Sequence, residues 1–233
     1  MFCFIDYRTT KIERENLQRL DFNCIEIPKC KNLYPAIDGH VDIQLNILNI
    51  KSKEVIIHKD IDESFKLNLL KQGISYIETN NSLSPKYPND VLINALILDN
   101  YFIHNLKFTD SNLLKTQDNK IKIHVKQGYT KCSCLPINEK ALITNDTSIY
   151  KELTKNDFDV LLLPPGDISL PGLNYGFIGG TGGMISKNTI AFFGSLDNYL
   201  YGEKVKSFLY KYDVYPIYLS EGKLNDRGSL LIL

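Results

Sequence analysis

Asp38-Gly39-His40-Val41-Asp42-Ile43-Gln44-Leu45 is where residue types and spacing in this chain come closest to a reactive site. An imidazole stands between two carboxylates at alternate positions, and on a strand alternate side chains share one face. Asp38, His40, Asp42 and Gln44 would then form a polar face opposite Val41, Ile43 and Leu45. Histidine titrates near neutrality, and carboxylates raise its basicity and hold its ring, so such a face can move protons or grip a cation. A half-buried strand with a wet polar face has the same alternation.

Thiols are the second reactive set. The five cysteines, Cys3, Cys24, Cys30, Cys132 and Cys134, are odd in number. The N-terminus lacks a basic region followed by a long apolar run and a small-residue cleavage site. A reduced, cytoplasmic protein is expected, and the Lys/Asn/Ile-heavy, Trp-free composition suits an AT-rich bacterial genome. On a strand, Cys132 and Cys134 would face the same way, and Lys131 or Lys126 would lower a thiol pKa on close approach. The alternative for both cysteines, and the stronger one for Cys134, is a small buried hydrophobe. Their spacing lacks the Cys-x-x-Cys pairs of structural zinc sites, and no third ligand stands near His40 and Asp42. No metal and no cofactor is therefore expected, and His58, His104 and His124, single in apolar strands, read as structural.

The 27 basic side chains balance the 27 acidic ones, and only Arg8, Arg14, Arg19 and Arg227 are arginine. Neither nucleic acid nor an anionic membrane is expected as a partner. No apolar run is long enough to span a bilayer. Residues 176–183 are glycine-rich but lack Gly-Lys-Ser/Thr, and 184–193 reads as a hairpin turning at Ser186-Lys187-Asn188 rather than as a helix. A nucleotide loop is excluded on both grounds.

The elements that must position these groups recur. A capped helical segment followed by a short strand occurs five times, at 9–20 and 23–27, 60–71 and 74–78, 110–116 and 121–125, 146–155 and 159–163, and 199–210 and 214–219. An apolar strand enters each helix, and Ser, Thr, Asp or Asn marks nearly every junction, where a side-chain oxygen caps free helix N–H groups. Four units carry a further leading strand, at 41–48, 91–98, 132–137 and 177–185. The first lacks one, while 229–233 is an orphan strand at the C-terminus. If that strand completes the first unit, five strand-strand-helix-strand units close a ring without an exposed edge. With 43% hydrophobic residues and no Pro/Ser-rich linker, residues 1–233 read as one domain. Leading strands of such a ring converge on a central channel, bringing Asp90, Asn94 and Asp226 toward it.

Five such units around a pseudo-fivefold axis resemble the pentein fold, the α/β propeller of the guanidino-group-modifying enzymes. Gly39-His40-Val41-Asp42 resembles the Gly-His-x-Asp strand of agmatine and arginine deiminases. From about residue 34 onward the chain also resembles a narrower bacterial family of this fold with no assigned activity. The motifs are Lys126-Gln127-Gly128-Tyr129-Thr130-Lys131-Cys132-Ser133, Ile143-Thr144-Asn145-Asp146, Tyr175-Gly176-Phe177-Ile178-Gly179-Gly180 and Phe193-Gly194-Ser195-Leu196.

The resemblance implies a small, guanidino-type ligand held by carboxylates, a thiolate that attacks its central carbon, and a histidine that serves as acid and then base. His40 would be that acid/base, Asp42 a substrate carboxylate or its orienting partner, and Asp38 a second substrate contact; apart from the resemblance, Asp90, Asn94, Gly180 and Asp226 are further candidate contacts, or else solvated loop ends. In the deiminases the cysteine comes from a glycine-rich strand that matches residues 179–186 here, where Thr181 and Ser186 offer only hydroxyls. Cys132, donated by another blade, is then the candidate nucleophile. The pentein fold also occurs in a ribosome anti-association factor that is not an enzyme, so two functions stay open. One is a hydrolase or transferase acting on C–N bonds of a guanidine or amidine. The other is a binding protein without turnover.

Overall fold

The repeated pattern folds as five three-stranded sheets in a computed structural model that describes residues 1–233. In the first sheet β1 (Phe2–Asp6) lies parallel to β2 (Asn23–Ile27), joined through helix α1 (Lys11–Arg19). The one-turn helix α2 (Val41–Gln44) leads into the second sheet, in which β3 (Leu45–Asn49) pairs antiparallel with β4 (Glu54–Ile57). There α3 (Glu63–Lys71) crosses to the parallel β5 (Ser75–Glu78). The third sheet repeats this order with β6 (Leu96–Ile97), β7 (Tyr101–His104), α4 (Ser111–Thr116) and β8 (Ile121–His124).

A second one-turn helix, α5 (Thr130–Ser133), opens the fourth sheet of β9 (Cys134–Pro136), β10 (Ala141–Thr144), α6 (Thr147–Lys155) and β11 (Asp159–Leu162). A 3-10 turn at Ile178–Thr181 opens the fifth, made of β12 (Gly182–Ser186), β13 (Thr189–Phe192), α7 (Gly202–Tyr210) and β14 (Tyr215–Tyr218). The C-terminal β15 (Leu231–Ile232) returns to the first sheet, antiparallel to β1, with Cys3 opposite Ile232 and Phe4 opposite Leu231. The terminal strand thus supplies the partner that the first unit lacks in sequence.

Side-chain caps start four of the five crossover helices, all but α7. Thr10 and Glu13 form a reciprocal capping box on α1, and Asp62, Asp110 and Asp146 accept N–H groups at the starts of α3, α4 and α6. Each helix buries one stripe: Leu17, Phe65 with Leu69, Leu113, Ile149 with Leu153, and Val205 with Leu209. Every such aliphatic side chain contributes about 1.5–3 kcal/mol by leaving water. The middle strands read as unbroken apolar runs, such as Val55-Ile56-Ile57, because both faces are covered and all three residues are buried.

The largest departure from the sequence reading is where the leading strands begin. Residues 38–45 do not form one strand: His40 is extended, residues 41–44 turn as α2, and only Leu45 starts β3. Likewise Cys132 lies in α5, and Cys134 begins β9. The reason is where the buried backbone donors find partners. Asp42 N–H bonds the Gly228 carbonyl at 3.0 Å, and Lys131 N–H bonds the Asn94 carbonyl at 3.0 Å. These are bonds to other units' entry turns, and a β ladder could not supply them.

Candidate functional site

The site is built from the short segments that precede the first strand of each sheet. Asn94, Cys132, Gly180 and Ser229 each stand two residues before β6, β9, β12 and β15, so they are equivalent positions of the repeat. Four of the five neighbouring pairs bond directly, and the Cys132 and Gly180 segments meet instead through Gly179, packed on the Lys131 and Cys132 carbonyls. Asn94 Nδ2 donates to the Asp42 carbonyl at 3.0 Å, Lys131 N–H to the Asn94 carbonyl at 3.0 Å, and Ser229 N–H to the Gly180 carbonyl at 3.1 Å. Asp42 N–H, bonded to Gly228, joins the last segment to the first.

Two glycines permit this approach. A Cβ on Gly180 would overlap Asp226 Oδ1. Gly228, at φ +68°, leaves no room for a Cβ beside His40 and adopts a conformation that side chains disfavour. Ser229 follows at φ +70°, rare for a residue with a side chain, and is fully buried.

Cys132 Sγ donates to Asp42 Oδ1 at 3.0 Å and accepts from Asn94 Nδ2 at 3.2 Å, while Cys132 N–H donates to Asn94 Oδ1 at 3.2 Å. The other oxygen of Asp42 accepts from Ser229 Oγ at 2.6 Å, and Ser229 Oγ in turn accepts from Lys131 Nζ at 2.9 Å. A hydrogen-bonded chain therefore runs from the Lys131 amine through Ser229 and Asp42 to the thiol. His40 Nε2 lies 3.8 Å from Asp226 Oδ1. Asp226 itself accepts N–H groups of Phe177 at 2.8 Å and Gly228 at 3.0 Å, which fixes its carboxylate.

His40, Cys132 and Asp226 line a cavity of about 280 Å³. Its walls are mainly apolar: the rings of Tyr34, Tyr129, Tyr175 and Phe177, with Ile37, Ile43, Leu170 and Leu173. Tyr129 donates its hydroxyl to Asp90, and the Tyr34 and Tyr129 hydroxyls stand 3.3 Å apart.

Burial dominates the electrostatics. It raises the Cys132 thiol well above its ordinary value, and the charges of Asp42 and Asp226 push in the same direction. Burial also raises Asp226, an effect that His40 opposes and Asp42 reinforces. Lys131 is lowered by burial, against the pull of Asp42 and Cys132. A cation entering the cavity would meet buried carboxylate charge and favour the thiolate. His40, Asp42 and Cys132 each offer a donor atom within 4.8 Å of the others, so they are also a set that could hold a metal ion. The 3.0 Å separation of Cys132 Sγ and Asp42 Oδ1 fits a thiol–carboxylate hydrogen bond.

A model of a family of unknown function, DUF6873, matches residues 4–231. The chain belongs to the DUF6873 family. No curated protein matches the sequence. Among solved structures, the amidinotransferase SxtG of the saxitoxin biosynthetic pathway of Microseira wollei aligns with a TM-score of 0.55 at 10% identity, over 89% of this chain and 74% of its own. The inosamine-phosphate amidinotransferase StrB1 of Streptomyces griseus aligns with a TM-score of 0.54 at 11% identity, over 91% and 77%. An agmatine deiminase of C. jejuni aligns over 67% and 56% at 17% identity, with a TM-score of 0.38. This DUF6873 chain shares the pentein fold of the two amidinotransferases.

Of the residues expected from sequence, the structure brings His40, Asp42, Asn94, Cys132, Gly180 and Asp226 together in this DUF6873 protein. It places Asp38 elsewhere. That carboxylate accepts from Tyr7 at 3.0 Å and lies near Arg8 and Lys29, at 3.8 and 3.6 Å, because residues 35–39 form a turn rather than the strand that would have aligned it with His40. Asp90 sits behind Tyr129 rather than in the cavity lining. Cys134 does not share a face with Cys132; it packs with Leu96, Ile103 and Leu142, and burial pushes it up to about 12. Lys131 reaches Ser229, and the thiol beside it in sequence is raised rather than lowered.

His104 is structural, with both ring nitrogens bonded, to Thr109 at 2.8 Å and Gly128 at 2.9 Å. His58 is buried with neither nitrogen partnered. His124 Nδ1 accepts from Leu106 N–H at 3.2 Å. Sequence reasoning did not single out Ser229, Lys131 as a relay, or the aromatic walls. The signal for Ser229 was its repeat position, two residues before a leading strand, shared with Asn94 and Cys132.

Proposed function

We propose that this protein binds a planar amidinium or guanidinium cation in the Asp226 cavity and transforms it at carbon through Cys132, as a hydrolase or amidinotransferase. The carrying observation is that a thiol, an imidazole and a buried carboxylate meet at one cavity, with a second carboxylate, Asp42, bonded to the thiol from behind. The five sheets are then blades of a closed α/β propeller formed by residues 1–233 as one domain, with this cavity at the shared centre. Support comes from the bonds that join successive entry turns and from the pairing of β15 with β1. SxtG and StrB1 are amidinotransferases, which fits this class of chemistry.

In this mechanism the incoming cation pairs with Asp226 beside Cys132, and its charge favours the thiolate. The thiol proton passes to Asp42, and sulfur attacks the central carbon. His40, protonated, gives its proton to the departing amine, leaving a thiouronium on Cys132. Neutral His40 next takes a proton from water or an acceptor amine, which attacks the same carbon and expels the sulfur, to which Asp42 returns its proton. Asn94 orients the thiol, and Ser229 orients Asp42. No helix is long and apolar enough to cross a membrane, consistent with action on a dissolved small molecule.

Binding without turnover is the second reading, favoured by one observation: burial holds the thiol protonated. Incubation with alkyl and aryl guanidines, followed by assay of ammonia and released amine, tests the first. Release by wild type and its loss in Cys132→Ala are expected. Full turnover by that variant would remove the nucleophile, whereas saturable binding with no product and no adduct would establish the second reading.

A further inference from the structure

The cavity has a polar end and an apolar body, and its chemistry limits what can be attached to the cation. His40, Cys132 and Asp226 stand at the polar end. The rest is dominated by Tyr34, Tyr129, Tyr175 and Phe177, with Leu170 and Leu173 from the connection between β11 and the 3-10 turn. No lysine or arginine lines it.

The aromatic residues present rings more than hydroxyls. Tyr129 spends its hydroxyl on Asp90, Tyr34 lies against Tyr129, and the Tyr129 and Phe177 rings stand 6.2 Å apart at 33°. Tyr175 meets Phe177 edge-on at 6.4 Å. Such faces attract a flat cation or an apolar group, while a carboxylate pressed against them would lose its water without gaining a partner. The nearby fixed charges, Asp226 and Asp42, would repel it further. A volume of about 280 Å³ is that of about nine waters, enough for the cation and one ring or a short alkyl chain.

We infer that the ligand is an amidine or guanidine bearing an uncharged apolar substituent, and that amino-acid-like guanidines with a carboxylate are excluded. The inference rests on the function proposed above, because it takes the polar end as the cation site. It goes further by assigning the aromatic and leucine walls to selection of the tail. Among the lining residues away from the polar end, Asn174 and the tyrosine hydroxyls are the polar groups a tail hydroxyl or ether could meet.

Calorimetric titration of the wild-type protein with guanidinium, butylguanidine, benzamidine, 4-guanidinobutyrate and arginine tests this directly. Butylguanidine and benzamidine should bind at least tenfold more tightly than guanidinium, since each methylene or ring carbon buried adds affinity. The matched acid, 4-guanidinobutyrate, should bind at least tenfold more weakly than butylguanidine. If the acid or arginine binds as tightly as butylguanidine, the tail assignment is overturned while the cation site stands. If none of the guanidines or amidines binds, the cation site itself falls, and the inference with it. In Leu173→Arg, at a half-exposed wall position, 4-guanidinobutyrate should gain affinity relative to butylguanidine. An unchanged ratio would count against this wall as the tail site.

Discussion

The thiol of Cys132 donates a 3.0 Å hydrogen bond to Asp42, a carboxylate that reaches it from a different sheet's entry turn. Asp42 is at once the thiol's acceptor and, through Ser229, the end of a chain to the Lys131 amine. Asp42→Asn keeps the shape and removes the charge. If Asp42 accepts the thiol proton, its kcat should fall by about 10²–10⁴-fold, the range for a positioned acid or base. Ser229→Ala, which removes the orienting hydroxyl and the Lys131 amine's partner but leaves the Asp42 charge, should fall less. Steady-state kinetics on the best guanidine substrate would show this, and equal losses in both variants would assign Asp42 a structural role.

The resting thiol is buried and raised, so it should be a slow nucleophile toward neutral reagents at pH 7.5. Cys24 is half-buried, and its bond with Cys3, at 3.4 Å between sulfurs, lowers it. Iodoacetamide should therefore label Cys24 before Cys132, as peptide mapping of a time course would reveal. Early labelling of Cys132 would mean that its thiolate forms without a bound cation.

Gly180 and Gly228 make room for Asp226 and His40. Gly180→Ala and Gly228→Ala should each lower stability by about 1–3 kcal/mol through overpacking, or strain at φ +68°, and weaken ligand binding as well. Urea unfolding with parallel calorimetry would separate the two effects. Wild-type affinity in a folded Gly180→Ala protein would show that Asp226 need not hold its present position.

His104 is buried with both nitrogens bonded, and burial lowers it from its ordinary 6.5 to about 4. The unfolded chain takes up that proton near pH 6.5, whereas the folded protein resists it until about 4. Between those values the unfolded state binds more protons, so folding stability rises with pH and is complete above 6.5. The full difference is about 3 kcal/mol at roughly 1.4 kcal/mol per pH unit. Urea midpoints should drop between pH 6.5 and 4.5, less steeply in His104→Gln. An NMR titration placing the folded His104 near 6.5 would contradict this.

Much of the fold was legible because it rests on local rules. The capped helices, the apolar middle strands and the partnering of the orphan terminal strand all follow from residue pattern, and β15 pairs where the repeat required. The entry turns were not legible. Asp38-Gly39-His40-Val41-Asp42 alternates like a strand, yet the His40 N–H closes a local turn on Ile37 and the Asp42 N–H bonds distant Gly228, a tertiary preference that periodicity cannot carry. That is why His40, Asp42 and Cys132, singled out by type, lie together, whereas Asp38 and Cys134, placed by strand alternation, lie elsewhere. The aromatic walls come from three separate stretches, around residues 34, 129 and 170–177, and no spacing links them.

Chemistry at Cys132 is tested most directly by 2-chloroacetamidine, an amidinium cation with a leaving chloride. Held at Asp226, its charge should draw out the thiolate, and displacement of chloride should leave one thioether on Cys132. Intact mass followed by peptide mapping should find a single adduct at Cys132, formed faster than with the neutral 2-chloroacetamide and suppressed by butylguanidine. Absence of that adduct under conditions that modify Cys24, or equal rates for the cationic and neutral reagents, would contradict a cation-activated nucleophile at this site.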